Sequence, residues 1–212
     1  MTGCGRRTKS SGRWLQRHVN DPFVRKARVE GYRSRAAYKL IEINTRERFL
    51  VPGAKVVDLG AAPGGWAQVA AQKIAPGGTV IAVDLLEIAP MSGVTVLRGD
   101  CREPVIRAQL AAALGGSRAD VVLSDLSPNI SGIASADQAR AAELVRMAMD
   151  FCRDRLQNEG VFLVKVFQGV EFASLLKELK SMFRDVRTLK PAASREESRE
   201  TYLLARGLKG IQ

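Results

Sequence analysis

The chain has 212 residues, 46% hydrophobic and 26% charged, a balance that suits one globular domain with a substantial core and excludes a disordered or fibrous chain. Its formal net charge of +11 is unevenly placed: residues 1–40 hold 11 Lys or Arg against the two acids Asp21 and Glu30, so the rest of the chain is near +2. A basic segment on an almost neutral body points to a polyanionic partner, most often nucleic acid, and Trp14, Phe23 and Tyr32 between the charges suit stacking on bases.

In chain order, residues 1–33 read as a basic arm with turn signals at Ser10-Ser11-Gly12 and Asp21-Pro22. Residues 34–49 read as a helix, with Ser34 as N-cap and an apolar stripe of Ala36, Ala37, Leu40 and Ile43. From Lys55 onward strands alternate with helices, the pattern of a parallel sheet. Strands are expected at 55–59, 79–84, 94–98, 119–124 and 160–166, and helices at 65–75, 103–114, 137–157 and 170–181. The helix at 137–157 has Ala141, Leu144, Val145, Ala148, Phe151 and Cys152 on one face, and Asn158-Glu159-Gly160 is expected to end it. Two further strands, 184–189 and 200–206, follow without a helix between them and should pair antiparallel at the sheet edge. The expected organisation is therefore an RNA-binding arm, 1–33, on a catalytic domain, 34–212.

Cys4, Cys101 and Cys152 form no C-x-x-C pair, so neither a zinc site nor a disulfide framework is indicated. An apolar leader is absent, as is any run of about 18 apolar residues. A cytoplasmic protein with no membrane segment is the expectation.

The first strand leads into Asp58-Leu59-Gly60-Ala61-Ala62-Pro63-Gly64-Gly65-Trp66, a glycine-rich strand-to-helix turn of a nucleotide-binding sheet. It is neither G-x-G-x-x-G, since Ala62 stands where a glycine would be, nor a phosphate-binding P-loop. Four acids close successive strands on one rim. Asp58 is placed to hold the glycine turn. Asp84, 24 residues after Gly60, can accept from both ribose hydroxyls of an adenosine. Asp100 can hold an adenine amino edge, and Asp125 opens Asp125-Leu126-Ser127-Pro128-Asn129. Together they look like an S-adenosylmethionine pocket. The loop after Asp125 carries no aromatic residue to stack on a base, and the chain has no Pro-Cys nucleophile for pyrimidine carbon, so an oxygen acceptor leads. Lys165 ends an apolar strand, where a lysine is costly unless paired. Lys39 and Glu200 could complete a cluster with Asp125 and Lys165, although spacing alone does not show it. Trp66 either walls the cofactor pocket or packs the helix start.

The segments Arg33 to Leu40, Val57 to Trp66, Asp125 to Gly132, Val164 to Gly169, Pro191 to Arg195 and Ser198 to Glu200 resemble the FtsJ-type ribosomal RNA ribose 2'-O-methyltransferases. The similarity runs nearly end to end, departing at Cys4-Gly5. It implies a Rossmann-like class I S-adenosylmethionine-dependent methyltransferase, an α/β fold with a mostly parallel seven-stranded sheet and helices on both faces. It also implies the tetrad Lys39, Asp125, Lys165 and Glu200, and cofactor contacts at Gly64, Trp66, Asp84, Asp100 and Asp125. The implied substrate is a uridine of large-subunit ribosomal RNA within the large subunit, late in assembly. Arg6, Arg7, Lys9, Arg13, Arg33, Arg35, Arg195 and Arg199 are the expected RNA contacts, in a monomer that needs no metal. Three alternatives stay open: a transfer-RNA or cap ribose methyltransferase, a non-catalytic ribosome-assembly factor, and an NAD-dependent oxidoreductase. Whether Lys165 acts as neutral base or charged stabiliser also stays open.

Overall fold

The computed structural model describes residues 21–195 and 198–210. Arg6, Arg7, Lys9, Arg13 and Trp14 lie outside the described residues. The elements in chain order are α1 (Pro22–Val29), α2 (Ala36–Glu47), β1 (Lys55–Leu59), α3 (Gly65–Ile74), β2 (Thr79–Asp84), β3 (Val94–Arg98), α4 (Pro104–Ala113), β4 (Ala119–Ser124), α5 (Ala134–Arg155), β5 (Leu156–Phe167), α6 (Phe172–Met182), β6 (Phe183–Leu189) and β7 (Glu200–Leu208). They build one sheet of seven strands in the order β3-β2-β1-β4-β5-β7-β6. The first five strands run parallel, and β7 runs antiparallel to both β5 and β6.

Apolar residues on alternate positions of each strand feed two cores, one per face. Val57 and Leu59 join Leu110 of α4, Val145 and Met149 of α5 and Leu179 of α6. Val56 of the same strand joins Leu40 and Ile43 of α2 and Val69 and Ile74 of α3. Order reversal between β1 and β4 opens a crevice at the carboxyl ends of the strands, where ligands of such sheets bind. No helix among the described residues is long and apolar enough to cross a membrane.

Two glycines fix the first strand-to-helix turn. Gly60 has φ of +75°, and a Cβ there would lie 2.6 Å from Leu126. A Cβ on Gly65 would lie 2.3 Å from Ser34 Oγ, so glycine lets α3 start against the start of α2.

Several expectations change. Asp21-Pro22 is no free turn: Asp21 caps α1 through the Phe23 N–H and Pro22 occupies the first turn, where its missing N–H costs nothing. Phe23 and Tyr32 pack on Tyr38, with ring centroids 5.5 Å away in each case, and Ala27 packs with Tyr38 and Ala193. Residues 21–33 therefore belong to the folded body, and the boundary at 33 is too late. Ser34 is not the cap of α2, whose side-chain cap is missing. The long helix ends at Arg155 and β5 starts at once, with a register shift opposite Ala119 to Val121, so Asn158-Glu159-Gly160 lies inside the strand.

Candidate active site

A cleft of about 730 Å³ lies in the crevice, lined by Gly60 and Ala62 after β1, Asp84 to Leu86 after β2, Gly99 to Arg102 after β3, and Asp125 to Asn129 after β4. Its far wall is α5, through Arg140, Glu143, Leu144 and Met147. Asp84 accepts the N–H of Ala62 on one oxygen and that of Leu86 on the other, each at 2.8 Å. A carboxylate has about four lone-pair sites, so capacity remains for two hydroxyls. Asp100 is held bidentate by Arg102, whose hydrogen bond, against some burial, sets its carboxyl below the usual range.

Gly64 and Trp66 do not line this cleft. The space a Gly64 side chain would need is filled by Met91 and Arg33. Trp66 is 3% exposed, donates from Nε1 to Ala36 O at 2.8 Å and packs 5.7 Å from the Tyr202 ring. Asp58 does not hold the glycine turn either. It is fully buried, and neither carboxylate oxygen has a hydrogen-bond partner among the described residues. Burial, then the charges of Asp125 and Asp84, push its carboxyl well above the usual range; the Ala67 backbone N–H, not placed to complete a hydrogen bond, works in the other direction.

At the β4 end of the cleft the four residues expected to cluster do come together. Lys165 is 6% exposed. Its Nζ donates to Asp125 O at 2.8 Å and to Ser127 Oγ, and lies 3.2 Å from Asp125 Oδ1. Lys39 Nζ donates to Glu200 Oε1 at 2.6 Å. The two ion pairs are joined by Tyr202, whose hydroxyl reaches Asp125 Oδ1 and Glu200 Oε1. Ser194 Oγ adds a contact of 3.1 Å to Glu200 Oε1. Sequence reading missed Tyr202 and Ser194; the only signal was their place within or beside segments already singled out. Two cations and two carboxylates make the network neutral, which is how buried charge is tolerated. Removing one member would leave its partner buried and unpaired, at about 3–5 kcal/mol. Burial works to raise the Glu200 carboxyl, but the charge and hydrogen bond of Lys39, the charge of Lys165 and the Tyr202 hydroxyl outweigh it and hold it below its ordinary value.

The arginines expected to touch RNA divide. Arg33 donates to the carbonyls of Ala89 and Pro90, clamping the loop after β2. Arg35 binds Asp21 and Ala193 O. Both guanidiniums thus have partners within the fold, the Arg35 bonds half-buried and the Arg33 bonds at the surface. Arg195 leans on Asp21 at 3.3 Å yet is exposed, and Arg199 is exposed.

The cleft suits S-adenosylmethionine in size and in donor set: pockets for such ligands run to roughly 300–1,000 Å³. Asp84 offers acceptors for a ribose, and Leu85, Leu86, Leu126 and Met147 offer apolar walls. A Rossmann-like sheet whose crevice ends in a lysine-carboxylate network defines the class, an S-adenosylmethionine-dependent methyltransferase. The family model of the FtsJ-like methyltransferases matches residues 32–208. The chain belongs to that family. It is 52% identical over 202 residues to the ribosomal RNA large subunit methyltransferase E of Nitrosospira multiformis, covering 95% of this chain and 98% of that protein. Against the protein of the same name from Chromohalobacter salexigens it is 49% identical over 210 residues, 99% and 100% of the two chains. Among solved structures, a ribosomal RNA methyltransferase from Plasmodium falciparum superposes with a TM-score of 0.76 at 28% identity, covering 85% of this chain and all of that one. Aeropyrum pernix fibrillarin, solved with S-adenosylmethionine, shares the fold at a TM-score of 0.54 and 18% identity, over 80% and 73% of the two chains.

Proposed function

We propose that this enzyme methylates the ribose 2'-hydroxyl of a uridine in large-subunit ribosomal RNA, within an assembled or nearly assembled large subunit, working as a cytoplasmic monomer. The observation that carries the chemistry is Asp125, which lines the cofactor cleft and also belongs to the Lys165–Tyr202–Glu200–Lys39 network. Cofactor and acceptor therefore meet at one residue. The relatives named as ribosomal RNA large subunit methyltransferases match almost end to end, which supports the RNA class.

S-adenosylmethionine supplies an electrophilic methyl group on a sulfonium whose departing sulfur is neutral. The chain supplies position and charge. Asp84 would anchor the cofactor's ribose from the cleft wall, and Asp125 lines the same cleft after β4. Much of the acceleration comes from holding the hydroxyl oxygen in line with the methyl group. A Lys165 ammonium would have one proton for each of its three neighbours, Asp125 O, Asp125 Oδ1 and Ser127 Oγ. In this position it stabilises negative charge growing on the ribose oxygen. The Asp125 carboxylate is the base at hand for the hydroxyl proton.

Incubation with labelled S-adenosylmethionine and large subunits from cells lacking the enzyme, followed by digestion to nucleosides and mass spectrometry, tests the reading. The expected product is 2'-O-methyluridine. A base-methylated nucleoside, or equal activity on short unstructured oligonucleotides, would overturn it.

A further inference from the structure

Asp21 lies outside the cleft and the tetrad, yet three segments meet on its carboxylate. One oxygen accepts the Phe23 N–H at 3.0 Å and caps α1. The other accepts from Arg35, at the start of α2, and from Arg195 Nε at 3.3 Å. The side chain is only 7% exposed. Arg35 continues the connection, since its other terminal nitrogen donates to Ala193 O. One acid thus pins α1, α2 and the 191–195 loop to one another.

The last two of these carry the side chains that, with Tyr202, contact the Glu200 carboxylate. Lys39 lies one helical turn beyond Arg35 and holds Glu200 Oε1 at 2.6 Å. Ser194, the neighbour of Arg195, contacts the same oxygen at 3.1 Å. Arg35 and Arg195 are also like charges that act on each other, and Asp21 is the anion between them. In sequence, the basic residues Arg6, Arg7, Lys9, Arg13 and Arg17 run directly into this junction.

We propose that Asp21 is a positioning residue for methyl transfer: it clamps α2 to the 191–195 loop and so sets Lys39 and Ser194 around Glu200, at the point where the basic segment joins the body. The inference rests on the tetrad being the transfer site. It concerns a residue that touches neither cofactor nor acceptor and acts through Arg35 and Arg195.

The test is Asp21→Asn in the full chain. Asparagine caps helices as well as aspartate does, so α1 keeps its start while the clamp loses its charge. The expected result is a fall in kcat on large subunits of about tenfold or more, with S-adenosylmethionine affinity within about twofold of the parent. Amide exchange should quicken across 191–195 and around Glu200, while β1 and β4 keep their protection. Adding Arg195→Gln removes one of the two repelling charges; read as kcat at saturating large subunits, so that the loss of an expected RNA contact falls on KM, the double variant should recover most of the lost rate, a coupling that a simple packing defect would not give. An unchanged kcat and exchange pattern would overturn the proposal. So would a loss of cofactor affinity in step with kcat, or a double variant slower than Asp21→Asn alone. If the unaltered enzyme itself leaves large subunits unmethylated, the proposed function fails, whereas the exchange comparison still decides the clamp.

Discussion

Lys165 and Tyr202 stand opposite each other across β5 and β7, and the Tyr202 hydroxyl sits 3.2 Å from Asp125 Oδ1 and 3.0 Å from Glu200 Oε1. A phenol has one proton to give, so the two carboxylates share a single donor. Burial first, then the charges of Asp125 and Glu200, push this phenol well above its ordinary value, so it stays protonated and keeps donating. Two ion pairs from distant parts of the chain are thereby tied into one unit.

Tyr202→Phe should keep the fold and lose the tie. A hydrogen bond to a charged group is worth about 1.5–3 kcal/mol, so transfer should slow by at least about tenfold. Cofactor affinity should not change, because Tyr202 is absent from the cleft wall. Single-turnover rates on large subunits beside calorimetry with S-adenosylmethionine measure both, and a rate equal to the parent's would remove Tyr202 from the mechanism.

Asp58 and Glu200 should leave opposite marks on stability against pH. Glu200 has its folded carboxyl below the unfolded value, so it stabilises above the usual carboxylate range, and that contribution is lost as pH falls through the folded value. Asp58 has its folded carboxyl raised, so its contribution is present at low pH and is lost as pH rises through the folded value. Asp58→Asn should therefore gain on the parent as pH rises. Denaturant unfolding of both proteins across acid to alkaline pH measures this, and a constant difference would mean that folding leaves the Asp58 carboxyl where it stands in the unfolded chain.

Asp84→Ala should weaken S-adenosylmethionine by about 1.5–3 kcal/mol, the worth of charge-assisted bonds to a ribose. The same substitution frees the N–H groups of Ala62 and Leu86, so the turn it lines should also loosen. Calorimetry giving an unchanged affinity would reject Asp84 as the ribose anchor.

Deleting residues 1–20 removes Arg6, Arg7, Lys9, Arg13 and Arg17 while sparing Asp21 and α1. If most of them meet phosphates, the slope of log affinity against log salt should flatten by about 3–4 units. Filter binding to large subunits over a salt series gives the slope. No change would show that the segment leaves phosphate untouched.

Much of this architecture was legible because it is local. β1 to β4 carry short β-branched runs closed by Gly or Asp, and their observed bounds match the expected ones. Asp84, Asp100 and Asp125 line the cleft because strand ends in a parallel sheet share one rim. What was hidden depends on distant partners. Arg35 and Arg33 read as RNA contacts, and their partners within the fold, Asp21, Ala193, Ala89 and Pro90, come from elsewhere in the chain. Trp66 could have faced ligand or core, and Ala36 and Tyr202 settle it as core. Helix α1 was obscured because its charges read as an arm, while only Val24 and Ala27 are buried. Tyr202 needed the antiparallel register of β5 and β7, which no sequence period announces.

The place of β7 between β5 and β6 has a consequence for how competence is acquired. The cofactor cleft is drawn from residues 59–147, most of them joined by short connections. The Lys39–Glu200 pair closes a span of 161 residues, and it forms only when β7 has slotted between two strands that precede it in the chain. Long-range pairings of this kind are late and slow, since chain closure must come before any contact rewards it. Holding the methyl donor and being able to spend it are thus separate attainments of the folding chain. The cleft lining stops at Met147, whereas Glu200 and Tyr202 come with the last strand, so the lysine-carboxylate network is whole only when the sheet is.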